Sequence, residues 1–337
     1  MKDKIRVVQI FDENKGRALA VVQEPSLILV NQFTSVYAAA LEAIRVNTKL
    51  TDLLIENLSD TKIDYDTVYA GTGSWKLLPA FDHPDHPFGC LVAGTGLTHK
   101  NSALNRQMMH ASTGDSKPTD SIIMYDWGVK QGFPEPGEIG VQPEWFYKGN
   151  GSVLKAHGEY LEVPDYANDG GEEPEIAGVY IVDENGKPHR IGFAAGNEFS
   201  DHVMEKKNYL YLAPSKLRQC SIGPELVIGG DFTDIKGTVS ISDDESVRWS
   251  SDIKTGEKNM AHSLENLEYH HFKYAGHRLP FQAHVHFFGA DAFSFGNNLI
   301  LQHNDLMTVH WEGMGRALQN RILISSETET LSPVGQL

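Results

Sequence analysis

Two carboxylates stand two residues apart in Glu172-Glu173-Pro174-Glu175, at the head of an apolar run over residues 175–182. In an extended chain residues i and i+2 project from one face, so Glu173 and Glu175 aim at a common point while Pro174 faces away. Like charges that close are costly unless a cation or a proton compensates them. A third carboxylate, Glu198, ends the run over residues 190–198, and the Asn185-Gly186 pair between the two runs carries the chemistry of a tight hairpin turn. An antiparallel hairpin would set Glu198 beside the pair. Three carboxylate oxygens, with no cysteine and no required histidine, suit Mg²⁺ or Mn²⁺ with water or substrate completing the shell. The same pattern fits a solvated acidic strand face, and Asp169 and Glu172 nearby fit that reading too.

Other groups invite a metal less well. His83 with His86, in a proline loop, and His284 with His286, on one strand face, suggest zinc, but neither pair has further ligands at a convincing spacing. Cys90 and Cys220 cannot build a disulfide framework for a chain of 337 residues, so reduced buried thiols and a cytoplasmic location are expected. The start Met1-Lys2-Asp3-Lys4-Ile5 runs directly into a strand-like segment without the hydrophobic core of a secretion signal, which supports the same expectation.

The elements that must position these residues follow from the pattern. The first 80 or so residues read as a small α/β unit, with apolar segments at 5–10 and 18–22, a helix at 36–46 capped by Thr34 or Ser35, and a second helix near 53–58. The proline-rich stretch 77–87 marks a linker, giving a small N-terminal domain over 1–82 and a catalytic domain over 83–337. Beyond it come short strands, among them 226–229 and 237–242, with helical pattern only at 101–109 and 260–271. Strands and helices do not alternate at βαβ spacing, so the class is α+β and not a doubly wound parallel sheet.

Composition narrows the partners. With 29 basic and 45 acidic residues the net charge is −16, and no Lys/Arg stripe follows the chain, which excludes nucleic acid. No apolar run approaches the roughly 20 residues of a membrane span.

The order of Pro143-Glu144-Trp145-Phe146-Tyr147-Lys148-Gly149, the Glu-x-Glu strand, Gly196-Asn197-Glu198 and Lys216 through Gly223-Pro224 resembles the fumarylacetoacetate hydrolase superfamily. The entry Leu77-Leu78-Pro79 to Cys90-Leu91-Val92-Ala93-Gly94 is similar to the start of that family's catalytic domain. So are the later segments Val247-Arg248-Trp249, Lys254-Thr255-Gly256 and Gly313-Met314-Gly315-Arg316, and the resemblance spans about residues 77–324. Thr98-His99-Lys100-Asn101-Ser102 resembles the Thr-aromatic-x-x-Ser pattern of the sugar-acid dehydratase branch, with His99 in the aromatic's place, more than the Asn-Tyr form of the acylpyruvate hydrolases. Two departures stand out: Glu198 replaces the family's usual Asp, and Phe288-Gly289-Ala290-Asp291 stands where a Thr-Gly-Thr loop is usual.

The resemblance implies a mixed β-roll, a homodimer, and a GguC-type dehydratase of a 2-keto-3-deoxy sugar acid, with 2-keto-3-deoxy-L-arabinonate going to 2-oxoglutarate semialdehyde. It assigns Glu173, Glu175 and Glu198 to Mg²⁺ or Mn²⁺. Lys216 becomes the active-site lysine, its pKa lowered beside a cation, and Glu144 the acid near the leaving hydroxyl. His99 joins them in the pocket, while Thr98, Lys148 and Asn197 bind a small 2-keto acid substrate. Two other functions fit the same residues: a hydrolase cleaving the C–C bond of acylpyruvate-type 2,4-diketo acids, and a sugar-acid binding protein without catalysis.

Overall fold

The computed structural model describes residues 4–110 and 118–337. Among them the apolar runs form a twelve-stranded sheet and a five-stranded sheet. The heart of the larger sheet runs, side by side, Cys220–Ile228, Pro188–Asn197, Pro174–Val182, Ala283–Phe287, Cys90–Gly94 and Phe146–Asn150. Every residue of Pro174–Val182 and of Cys220–Ile228 is buried, because both faces of the sheet are covered. That double cover is why these strands read as continuous apolar runs with little alternation. One face packs Ala177, Val179 and Ile181 against the helices Val36–Arg45 and Leu50–Glu56. The other packs Ile176 and Tyr180 against the five-stranded sheet and the helix Leu264–Phe272.

The Asn185-Gly186 hairpin forms as its residues dictate: Gly186 takes a positive φ of 80°, and Asp183 N–H donates to Lys187 O at 2.9 Å. Ser35 caps the helix Val36–Arg45, its Oγ accepting from Ala38 N–H at 3.1 Å. The N-terminal strands do not stand apart. Ile5–Asp12 pairs antiparallel with Cys220–Ile228, placing Val7 opposite Leu226, and Gly16–Gln23, Ser26–Val30 and Leu58–Asp64 extend the same sheet.

Of the helices that escape the sequence pattern, Asp120–Gln131 is the longest. Asp120–Gln131 buries Ser121 and Gly128 while Trp127 and Val129 face solvent, so its seam is made of small residues and shows no apolar stripe. Both cysteines are buried and unpaired, and no helix among the described residues is long and apolar enough to cross a membrane.

Candidate metal centre and active site

The hairpin register sets Pro174 opposite Asn197 and Glu175 opposite Gly196, so the acids at the two strand ends meet. Glu198 N–H donates to Glu173 O at 2.9 Å, and Glu173 N–H donates to Asn197 Oδ1 at 3.2 Å. Asn197 thus tethers the backbone of the motif. Glu173, Glu175 and Glu198 are all buried and each offers an oxygen within 4.8 Å of the others. Burial removes the solvated-face reading, and the longer Glu198 side chain still converges. Among the described residues this is the one cluster of three potential ligands, and His83, His86, His284 and His286 belong to none.

Two buried lysines neutralise part of this charge. Lys216 Nζ donates to Glu173 Oε1 at 2.5 Å, to Glu198 Oε2 at 2.7 Å and to Ser200 Oγ at 3.0 Å. It also lies 4.7 Å from the centre of the Phe146 ring. Lys148 Nζ pairs with Glu198 Oε1 at 2.5 Å and donates to Phe199 O. Glu175 has only a neutral donor among the described residues, the N–H of Gly289 at 2.7 Å. Burial, followed by the charges of Glu198 and Glu173, pushes the Glu175 carboxyl well above its usual range. Glu173 is also buried, but Lys216 and His202 outweigh that and hold it well below the usual carboxylate range. Without a cation, burial lowers the Lys216 pKa, yet Glu173 and Glu198 outweigh burial and raise it; the fall expected from the sequence belongs to the state with a cation bound beside it.

Glu144 sits in a neighbouring network. Arg106 Nη1 donates to its two oxygens at 2.7 and 2.8 Å, Arg106 Nε pairs with Glu205 Oε1 at 2.6 Å, and Tyr209 donates to Glu144 Oε1 at 3.3 Å. A Cβ at Gly96 would lie 1.8 Å from Glu144 Oε2, so a side chain there would push that carboxylate out of its place beside Arg106.

Thr98 and His99 are placed behind the Phe288-Gly289 segment. Thr98 Oγ1 donates to Phe288 O at 2.7 Å, and the His99 ring lies 2.9 Å from Thr98 Oγ1 through Nδ1 and 3.2 Å from Thr255 Oγ1 through Nε2. Both ring nitrogens are engaged, and burial, with Lys254 adding to it, lowers the His99 pKa to about 3. The structure therefore gathers Glu173, Glu175, Glu198, Lys216 and Lys148 at one point, with Glu144 in an adjoining network, while Thr98 and His99 brace the loop that holds Glu175.

Three features escaped sequence reasoning. His202 Nε2–H donates to Glu173 Oε1 at 3.0 Å, Arg106 bridges Glu144 and Glu205, and Ser294 bonds Glu172. The only local signal was Asp201, whose carboxylate accepts from Met204 N–H at 2.8 Å and starts the short helix His202–Lys207.

Neither a protein-family model nor a curated protein matches the sequence. Solved structures do. 2-Keto-3-deoxy-D-arabinonate dehydratase in its apo form aligns with a TM-score of 0.69 at 17% identity, over 96% of this chain and 100% of that one. The dehydratase complexed with magnesium and 2,5-dioxopentanoate gives 0.69 at 16% identity, again over 96% and 100%. 2-Hydroxyhepta-2,4-diene-1,7-dioate isomerase from Mycobacterium marinum gives 0.58 at 13% identity, over 96% and 100%. At such identities the likeness is one of architecture: the chain shares the fold of 2-keto-3-deoxyarabinonate dehydratase, a mixed α+β fold as expected from the sequence.

Proposed function

We propose that this protein is a Mg²⁺-dependent dehydratase of a 2-keto-3-deoxy sugar acid, with 2-keto-3-deoxyarabinonate, L or D, converted to 2,5-dioxopentanoate. The observation that carries the reading is the buried trio Glu173, Glu175 and Glu198 with Lys216 bonded across two of its members. The trio fits a hard divalent cation: its donors are all carboxylate oxygens, and Glu175 has no cationic side chain bonded to it among the described residues. Glu173, Glu175 and Glu198 would hold such an ion, and it would supply Lewis acidity that makes the C3–H of a 2-keto acid easier to remove.

Lys216 is the group to take the C3 proton. It can do so only as the free amine, a form it reaches when Glu173 and Glu198 no longer serve as its countercharges. Glu144 is the group to protonate the C4 hydroxyl as it leaves, which requires its closed pair with Arg106 to open. Lys148 keeps Glu198 oriented throughout. A C3–H and the C4–O bond break and water departs, leaving a C3=C4 enone with its hydroxyl at C5. A proton then leaves C5 and one returns to C3, and the C5 enol so formed takes a proton at C4 as its hydroxyl proton leaves, giving the aldehyde. C4 is the only stereocentre of the substrate and it is lost, so both enantiomers lead to the same product.

One observation favours a second reading, hydrolysis of an acylpyruvate-type 2,4-diketo acid: a carboxylate–histidine pair, Glu173 with His202, of the kind that activates water. Against it, the other nitrogen of His202, Nδ1, is buried without a partner, and the ring stacks on Phe293 and Phe295, which leaves little room for an attacking water. The experiment is to dialyse the purified protein against a chelator, restore Mg²⁺, and offer each enantiomer and an acylpyruvate in turn. Aldehyde formation that disappears with the chelator and returns with Mg²⁺ is expected. Pyruvate release from the diketo acid would establish the hydrolase, and aldehyde formation indifferent to the chelator would end the metal reading.

A further inference from the structure

Each acid of the Glu172-Glu173-Pro174-Glu175 motif is held from a single loop, residues 289–297. Gly289 N–H donates to Glu175 Oε2 at 2.7 Å. Ser294 donates to both oxygens of Glu172, from its N–H at 2.6 Å and from its hydroxyl at 2.8 Å. The loop reaches Glu173 indirectly. Phe293 and Phe295 stack on the His202 ring, with centroids 4.9 and 5.1 Å away and interplanar angles of 4° and 27°, and His202 Nε2–H donates to Glu173 Oε1 at 3.0 Å.

His202 is built to act through that one nitrogen. Its Nδ1 is buried and has no hydrogen-bond partner, and a side chain at Gly171 would strike it at 2.5 Å, so the backbone there closes over the ring. Glu173 Oε1 takes two donors, Lys216 at 2.5 Å and His202 at 3.0 Å. The two differ in kind. Lys216 must release Glu173 to exchange a proton, whereas the imidazole is clamped by two aromatic rings and has nowhere else to bond.

We infer that His202 is a positioning residue: clamped by Phe293 and Phe295, it fixes the rotation of Glu173 so that the carboxylate keeps presenting Oε2 to a divalent cation after Lys216 lets go. The inference rests on the metal reading of the trio. A donor that orients a ligating carboxylate is typically worth 10- to 100-fold in metal affinity.

The test is a titration of the full chain with Mn²⁺ alone, following the free ion by electron paramagnetic resonance, for the wild type and for His202→Ala, His202→Gln and Phe295→Leu. The alanine variant is expected to bind Mn²⁺ about 10- to 100-fold more weakly, compared at a temperature where its metal-free form is fully folded. Glutamine, whose amide N–H can reach the same oxygen, should recover most of the loss, and Phe295→Leu should weaken binding less than the alanine change does, by loosening the ring. Alanine and wild type binding with equal affinity, or glutamine no better than alanine, would overturn the positioning role. Should the alanine variant fail to fold, unchanged affinity in Phe295→Leu overturns it instead. A wild type that takes up no Mn²⁺ would remove the metal reading itself, an outcome distinct from the others.

Discussion

Lys216 is fully buried and bonded to two carboxylates at once, so its removal reaches beyond chemistry. Breaking a buried ion pair by deleting one partner strands a charge at a cost of roughly 3–5 kcal/mol. Lys216→Met is therefore expected to abolish turnover and, in metal-free buffer, to lower stability by about that amount, with Mg²⁺ recovering much of the loss; denaturant titrations with and without Mg²⁺ check this. A variant as stable as the wild type without metal would contradict the ion-pair account. At this scale the sequence was legible where local periodicity decides. The two-residue spacing of Glu173 and Glu175 on a strand means a shared face wherever that strand ends up. It was illegible where a partner is supplied from far along the chain. Nothing near His202 announces that Phe293 and Phe295 will stack on it, or that Arg106 will find Glu144 and Glu205.

The strand Ala283–Phe287 and the helix Leu264–Phe272 bring histidines together without any acid among their electrostatic partners. His271 Nε2 lies 3.0 Å from His284 Nδ1, His271 stacks on His286 at 4.4 Å, and His286 Nε2 meets Thr95 Oγ1 at 2.7 Å. The alternation that suggested zinc instead forms a neutral imidazole core. Burial, with His277 adding to it, lowers the pKa of both His284 and His286 to about 3, and burial likewise lowers His157 and His262 to about 4. Unfolded histidine titrates near 6.5, so these groups stabilise the fold fully above that pH. Below it the unfolded chain binds protons that the native core refuses, and each group forfeits about 1.4 kcal/mol per pH unit until its own pKa is reached. Asp169 works in the opposite sense: burial raises it to about 6, so it favours the fold on the acid side and loses that contribution as pH rises through 6. Burial raises Glu172, Glu175, Glu198, Glu225, Glu268 and Asp291 in the same sense as Asp169, so these acids offset part of what the histidines forfeit. Replacing one buried histidine isolates its share: His284→Gln should make stability measured by denaturant less sensitive to acid between pH 6.5 and pH 4.5 than in the wild type; an unchanged pH dependence would show that this core does not contribute to the acid limit.

For the molecule as a whole, the boundary at residue 82 that the proline-rich linker suggests crosses a continuous sheet. Val7, Leu19 and Val36 pack in one cluster with Val179, Ile181 and Leu226. Buried Glu225 accepts from Tyr65 Oη and Arg316 N–H, each at 3.0 Å, and pairs with Arg6 at 3.0 Å. Residues 83–337 expressed alone would expose the edge of Cys220–Ile228 and the apolar face beneath the N-terminal helices, and are expected to aggregate; a monodisperse, Mg²⁺-responsive fragment in size-exclusion chromatography would contradict this. Fold class was readable because turn residues and strand-length runs recur along the chain. The joining of the N-terminal strands to Cys220–Ile228 was not, since register between distant strands leaves no local trace. The hairpin that unites the three acids has a further bearing on biosynthesis. Its two strands and their acidic tip leave the ribosome before Lys216 does, so the nascent chain meets its own repulsion early, and the divalent-ion content of the surrounding solution bears on how quickly the two strands zip together as well as on how firmly they stay paired.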